Sequence, residues 1–255
     1  MKRFCIIILI LLSGCSLSRE YSVLDHKEKV YFYSTDKEEA MGKALAKAVE
    51  KEYPVMHDPA YVDRVTRITQ DLFNVCDRKE ISYHTYVIDK DIKNAFSLPG
   101  GYLYIFRGLM DQLSNDQELA YVLAHEMGHV VARHHIKQMQ AAWGMNLLIL
   151  ASTQAKGSPD LPGGLSDALV FIMSGFSQED ELQADSLAVK YMKLAGYTPE
   201  AAIGVLEKLW KFEKKEIGEY NYVRSHPYIG LRIKTVKEVL GMPMEFKDYL
   251  NSMNN

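Results

Sequence analysis

Cysteine is nearly missing from this 255-residue chain, which carries only Cys5, Cys15 and Cys76. The first two lie in an N-terminal leader considered below, so Cys76 stands alone and the folded body has no internal disulfide. Without a partner, Cys76 reads as a small semi-buried residue rather than a nucleophile. Sixteen Gly and eight Pro are too few for a collagen-like or low-complexity chain. With 47% hydrophobic and 25% charged residues, the chain is not mainly disordered. Neither sign of charge dominates: 30 Lys and Arg face 33 Asp and Glu. No basic stripe stands out, which argues against nucleic acid as a partner. Internal repeats are absent, and so is any apolar run of membrane-spanning length. Phe4 to Leu12 reaches about half the length a spanning helix needs, and Met139 to Ala155 reads as a buried hairpin helix.

Lys2 and Arg3 precede the apolar run Phe4 to Leu12, the layout of a secretory signal. Leu12-Ser13-Gly14-Cys15 resembles a bacterial lipobox, which implies cleavage before Cys15 and acylation of that residue. Several acyl chains on Cys15 would hold the protein to a membrane, since one chain binds only marginally. Ser16 next to it favours the periplasmic face of the outer membrane, by analogy with enteric lipoproteins. An ordinary secretory signal that happens to contain a Cys is the plainer alternative. Residues 1–14 are thus read as signal peptide, 15–36 as lipidated tether and 37–255 as the working domain. Without residues 1–14 the balance is 28 basic against 33 acidic residues, a formal charge of −5.

Helical spacing predicts helices over about 37–52 and from Asp58-Pro59 to about Val75. Ile81 to Ile88 is β-branched and aromatic and predicts a strand. Asn94 to Leu98 and Tyr102 to Arg107 follow as two short strands around Pro99-Gly100-Gly101. Their short connections predict a small antiparallel sheet, the only one in the chain. From Asp116 to beyond Arg133 one long helix is predicted, capped by Ser114 or Asn115. Gly157 to Gly164 reads as a loop. Further helices are expected at about Leu165–Leu194, Pro199–Lys215 and Tyr228–Leu240. The fold class is α+β: many helices with a small antiparallel sheet beside them.

The long helix carries His125-Glu126-Met127-Gly128-His129. Histidines at i and i+4 share one helical face, so both imidazoles can reach one metal ion. Glu126 lies beside the first of them, where its carboxylate can reach water near the metal without binding the metal itself. Zinc needs a third protein ligand and an open position. Two residues compete for that place. His135 lies six residues past His129, but Ala132 between them is an excellent helix former. On an unbroken helix His135 points about 120° away from His129, at the surface or core edge. Glu181 is the other candidate, in Glu181-Leu182-Gln183-Ala184-Asp185 on a later helix. There one carboxylate can bind metal while Asp185 accepts the Nδ1–H of a ligand histidine.

HExxH followed by ExxAD some fifty residues later resembles the gluzincin-type peptidase family M48, which includes the CAAX prenyl protease and HtpX-like zinc metalloproteases. Asn94-Ala95-Phe96-Ser97-Leu98-Pro99-Gly100-Gly101 resembles the family's NAFxLPGG strand, and Arg133-His134 its RH. Ser225-His226-Pro227 with Arg232 resembles its (S/T)HPxxxxR. The similarity spans about residues 38–240, and the lipobox points to the lipoprotein and periplasmic members. The resemblance implies a zincin-like fold and one Zn2+ per chain on His125, His129 and Glu181, with Glu126 as general base and Asp185 behind a ligand histidine. It makes His226 and Arg232 candidates for stabilising the oxyanion, and His226 a possible extra metal ligand in a resting state. It also implies that an extended polypeptide pairs with Asn94, Ala95, Phe96, Ser97 and Leu98. Substrates would be unfolded or misassembled envelope proteins, with outer-membrane assembly partners possible. Three readings compete: a chaperone or assembly factor with a relic motif, an amidase acting on cell wall, and a zinc site built on His135.

Overall fold

In a computed structural model of the chain, residues 18–22, 27–31, 33–142, 174–213 and 222–253 are described. The signal segment, Cys15, the Gly157–Gly164 loop and most of the apolar stretch after Met139 lie outside them.

The architecture is mainly helical with a three-stranded sheet, as expected for α+β. Strands β1 (Ser18–Ser22) and β2 (Lys27–Tyr31) pair antiparallel, so the segment read as a plain tether contains a second, two-stranded sheet. Helix α1 (Thr35–Glu52) starts on Ser34, whose Oγ accepts from Lys37 N–H. Helix α2 (Pro59–Phe73) starts on Asp58 with Pro at its first turn, the cap-plus-Pro entry the sequence announces. Strands β3 (His84–Ile88), β4 (Ala95–Leu98) and β5 (Tyr102–Phe106) form the main sheet in the order β3-β5-β4.

That sheet is mixed, not wholly antiparallel. β4 and β5 make the expected antiparallel hairpin, but β3 runs parallel to β5. Residues 89–101, β4 among them, form the crossover that a parallel pair requires. β5 (Tyr-Leu-Tyr-Ile-Phe) is buried along nearly its whole length and takes the middle, which leaves β4 on an edge. The turn between β4 and β5 packs very close to α1. A Cβ at Gly42 would fall 1.9 Å from the Pro99 carbonyl oxygen, and Gly100 and Gly101 have φ of 74° and 91°.

Beyond the short helix α3 (Arg107–Met110), helix α4 (Asp116–Val131) runs through the centre. Asn115 caps it by accepting from Glu118 N–H at 3.0 Å. Every residue from Glu118 to Val130 is buried, because the sheet, α2 and later helices cover it on all sides. The helix then breaks, contrary to the unbroken helix that Ala132 suggests. Arg133 has φ 55°, and the chain is helical again over 134–142. Tertiary contacts override local propensity here. Buried Glu38 on α1 takes Arg78 in a two-pronged contact (2.8 and 2.9 Å) and Arg133 Nε at 2.9 Å. Arg78 also donates to the Val130 carbonyl at 3.0 Å, satisfying the end of α4. Burial alone would raise the Glu38 carboxyl, but the two guanidinium groups hold it below its ordinary value.

Helix α5 (Gln178–Leu194) starts on Ser177, so the helix expected from Leu165 does not run unbroken; Gly175, with φ 102°, precedes the cap. Helices α6 (Ala201–Glu213) and α8 (Ile229–Leu240) fall close to their expected places, with the short α7 (Tyr222–Ser225) between them. Helix α9 (Phe246–Met253) was not foreseen. It docks through a buried Lys237–Asp248 ion pair and leaves Phe246 and Met253 exposed. No helix among the described residues is long and apolar enough to cross a membrane.

Candidate metal centre

α4 and α5 pack in direct backbone contact, and two small residues permit it. A Cβ at Gly128 would lie 3.0 Å from the Ala184 carbonyl oxygen and 3.1 Å from its Cα. Both residues are spacers, inside His-Glu-Met-Gly-His and Glu-Leu-Gln-Ala-Asp respectively. The approach sets Glu181 against the two motif histidines. Its Oε2 lies 3.4 Å from His125 Nε2 and its Oε1 3.5 Å from His129 Nε2. His226, on the turn after α7, joins them with Nδ1 3.1 Å from Glu181 Oε1 and 3.3 Å from His125 Nε2. One ligand atom from each of His125, His129, Glu181 and His226 falls within 4.8 Å of the others, and all four residues are buried.

Hydrogen bonding on the far side of each ring fixes which nitrogen faces inward. His125 donates from Nδ1 to Asp185 Oδ1 at 2.8 Å, leaving its Nε2 as a lone pair. Burial and Arg232 both oppose protonation of His125; without an ion Asp185 and Glu181 outweigh them and raise it to about 9, so the Nε2 lone pair is freed only when a cation displaces its proton. His129 Nδ1 lies 2.9 Å from His134 Nδ1, and His134 Nε2 lies 2.9 Å from Gln183 Oε1. With His129 donating, His134 accepts and passes its own proton to Gln183, so His129 Nε2 is also a lone pair. The two Nε2 atoms are only 3.1 Å apart. Facing lone pairs repel unless a proton or a cation lies between them. Three imidazoles and a carboxylate are a zinc donor set, so these residues fit the ion. Burial would raise the Glu181 carboxyl, but His226 and Arg232 hold it down at about 2, in its ligating form.

Other expected residues fall in different places. Arg232 does not face open space. Its guanidinium donates to both Asp185 oxygens (2.8 and 2.9 Å) and lies 3.0 Å from Glu181 Oε2. In this arrangement the guanidinium is engaged with both carboxylates. His135 is neither at the surface nor in the cluster. The break at Arg133 turns it inward, where it is buried and donates from Nε2 to the Ser97 carbonyl at 2.7 Å. Glu126 is fully buried; its Oε2 accepts from Ser97 Oγ at 3.0 Å, and its Oε1 makes no hydrogen bond among the described residues. His226 Nε2 stands 3.3 Å from that Oε1. β4 is an edge strand packed beside α4, and all four of its residues are buried. Two of its main-chain groups are already engaged: Ala95 N–H with Asn94 Oδ1, and the Ser97 carbonyl with His135.

Four residues of the site were not singled out by sequence reasoning. Tyr121 donates to Asp185 at 2.7 Å and is one turn before His125. Tyr222 stacks on His226 with ring centres 4.3 Å apart, again one turn earlier. Helical spacing from the motif residues could have flagged both. Gln183 lies within the second motif, where its role needs the partner His134 to be visible. Phe176 lies over the His129 ring at 3.9 Å, and nothing in its local sequence announces that.

The chain matches Peptidase family M48 over residues 59–240. It is similar to the metalloprotease LoiP of Escherichia coli (strain K12), 31% identical, with 90% of this chain and 86% of that protein covered. It resembles the mitochondrial metalloendopeptidase OMA1 of Schizosaccharomyces pombe at 28% identity, over 87% of this chain and 66% of the other. To the beta-barrel assembly-enhancing protease of Yersinia pestis it is 32% identical over 69% of this chain. The chain spans 66% of the length of that OMA1 and 38% of the Yersinia protein. With the match covering most of the chain, and with the two motifs meeting in one buried cluster, this protein belongs to Peptidase family M48, a zinc-dependent metalloprotease family.

Proposed function

We propose that this chain is a zinc metalloendopeptidase that hydrolyses peptide bonds of unfolded or misassembled cell-envelope proteins. The convergence of His125, His129 and Glu181 from two helices, with Glu126 beside them, carries the reading. These three residues would hold one Zn2+. Bound zinc supplies Lewis acidity, which polarises the scissile carbonyl and acidifies water in the site. Glu126 Oε1, the oxygen free of hydrogen bonds, takes the proton of the attacking water and returns it to the leaving amine. Asp185 fixes the His125 tautomer, and Arg232 holds Asp185 and Glu181 in register. His226, whose ligand atom lies within 4.8 Å of those of the other three, would serve as an extra ligand in the resting form. On moving aside it could donate to the oxyanion.

The substrate lies extended along β4, residues Asn94 to Leu98, an edge strand next to the site. The relative named for enhancing β-barrel assembly supports an envelope substrate and outer-membrane assembly partners. The lipobox supports removal of residues 1–14 and a lipid anchor on Cys15, placing the enzyme on the periplasmic face of the outer membrane.

Zinc content and cleavage of unfolded casein, measured together on wild type and Glu126→Gln, test the proposal. Zinc should stay at one per chain in both, while cleavage falls by about 10²-fold or more in the variant. Equal cleavage by the variant, or digestion of purified wall fragments in place of casein, would refute it.

A further inference from the structure

Resting on that peptidase reading, we infer that Ser97 is a positioning residue for Glu126: it pins one carboxylate oxygen so that the other meets the reacting proton. Glu126 leaves α4 on a side chain with three rotatable bonds, and nothing on α4 itself fixes its far end. The Ser97 hydroxyl reaches across from β4 and donates to Oε2 at 3.0 Å. Among the described residues no other hydrogen bond reaches this carboxylate, and its Oε1 stands 3.3 Å from His226 Nε2. Both residues are buried, so water does not compete for the contact.

Ser97 is itself held from two directions. Its carbonyl accepts from His135 Nε2 at 2.7 Å, which ties β4 to the helical turn after the Arg133 break. Its strand is fixed by pairing with β5, where Ser97 faces Leu103. The turn that follows is seated on α1 by the close approach of Pro99 to Gly42. A rigid path thus runs from two parts of the fold to one oxygen of Glu126. The Ser97 side chain turns toward α4, so its contribution falls on orientation of the base rather than on substrate affinity. His135, six residues past His129 and outside the ligand set, acts through the same path.

Such an arrangement predicts a split in the kinetics. In Ser97→Ala the carboxylate gains rotational freedom, and kcat should fall about 10- to 100-fold. KM should stay within about twofold and zinc content should stay at one per chain, because neither the metal ligands nor the outer edge of β4 is touched. Ser97→Thr, which keeps the hydroxyl, should recover most of the lost kcat. The experiment measures zinc content, kcat and KM on an unfolded-protein substrate for wild type and both variants. A Ser97→Ala enzyme with full kcat, one altered only in KM, or one that loses its zinc would overturn the assignment. So would a Ser97→Thr enzyme that folds, binds zinc and is no faster than Ser97→Ala. A zinc-loaded wild type that cuts nothing would overturn the peptidase reading and this role together.

Discussion

The two motif histidines are not equivalent. His125 gives its Nδ1 proton to a carboxylate, Asp185, which Tyr121 and Arg232 hold in place. His129 gives its proton to a neutral ring, His134, which in turn leans on Gln183 and lies 3.4 Å from Asp180. Burial and the neighbouring histidines push His129 well below the ordinary histidine value, which keeps it neutral and ready to ligate. Outer partners of this kind change metal affinity by about 10- to 100-fold when removed. His134→Ala should therefore weaken zinc binding by that range, measured by competition with a chelator of known affinity. An unchanged affinity would mean that Phe176, stacked on the same ring, suffices to orient it. The ligand types were legible in the sequence because i, i+4 spacing defines one helical face. The His129–His134 link was not, since it depends on a left-handed Arg133 that no local preference favours.

Among the elements, the contact between α4 and α5 matters most. It requires a residue without a side chain at 128, because the facing atoms are Ala184 backbone. Gly128→Val should force the helices apart, costing about 1–3 kcal/mol of stability by overpacking. It should also separate Glu181 from the histidines and sharply reduce zinc uptake. Thermal unfolding of the metal-free protein and zinc titration check the two effects separately. Retention of both stability and zinc affinity would show that the helices meet without close backbone contact.

Helix boundaries with a cap and a periodic apolar face came through well in the sequence, as at Asp58-Pro59 and Asn115. The parallel β3–β5 pair did not, because connection length does not report a strand that passes to the far side of its neighbour. The break at Ala132–Arg133 was equally hidden. It is set by Glu38 and Arg78, far upstream in the chain, and by the Tyr33 carbonyl that Arg133 also reaches.

On the scale of the whole molecule, the buried cluster joins segments far apart in the chain: α4, α5 and the turn bearing His226. An ion held there stabilises the folded state alone, by about 4 kcal/mol when zinc exceeds its Kd a thousandfold. In a chain of this size each kcal/mol moves Tm by about 2–4 °C, so chelation should lower Tm by about 8–16 °C. The sharpest test is zinc content and zinc-dependent Tm in wild type, Glu181→Ala and His135→Ala. Wild type and His135→Ala should bind one zinc and unfold at a higher temperature with it, whereas Glu181→Ala should bind little and gain nothing. A folded Glu181→Ala protein that keeps its zinc, beside a His135→Ala protein that loses it, would contradict the account.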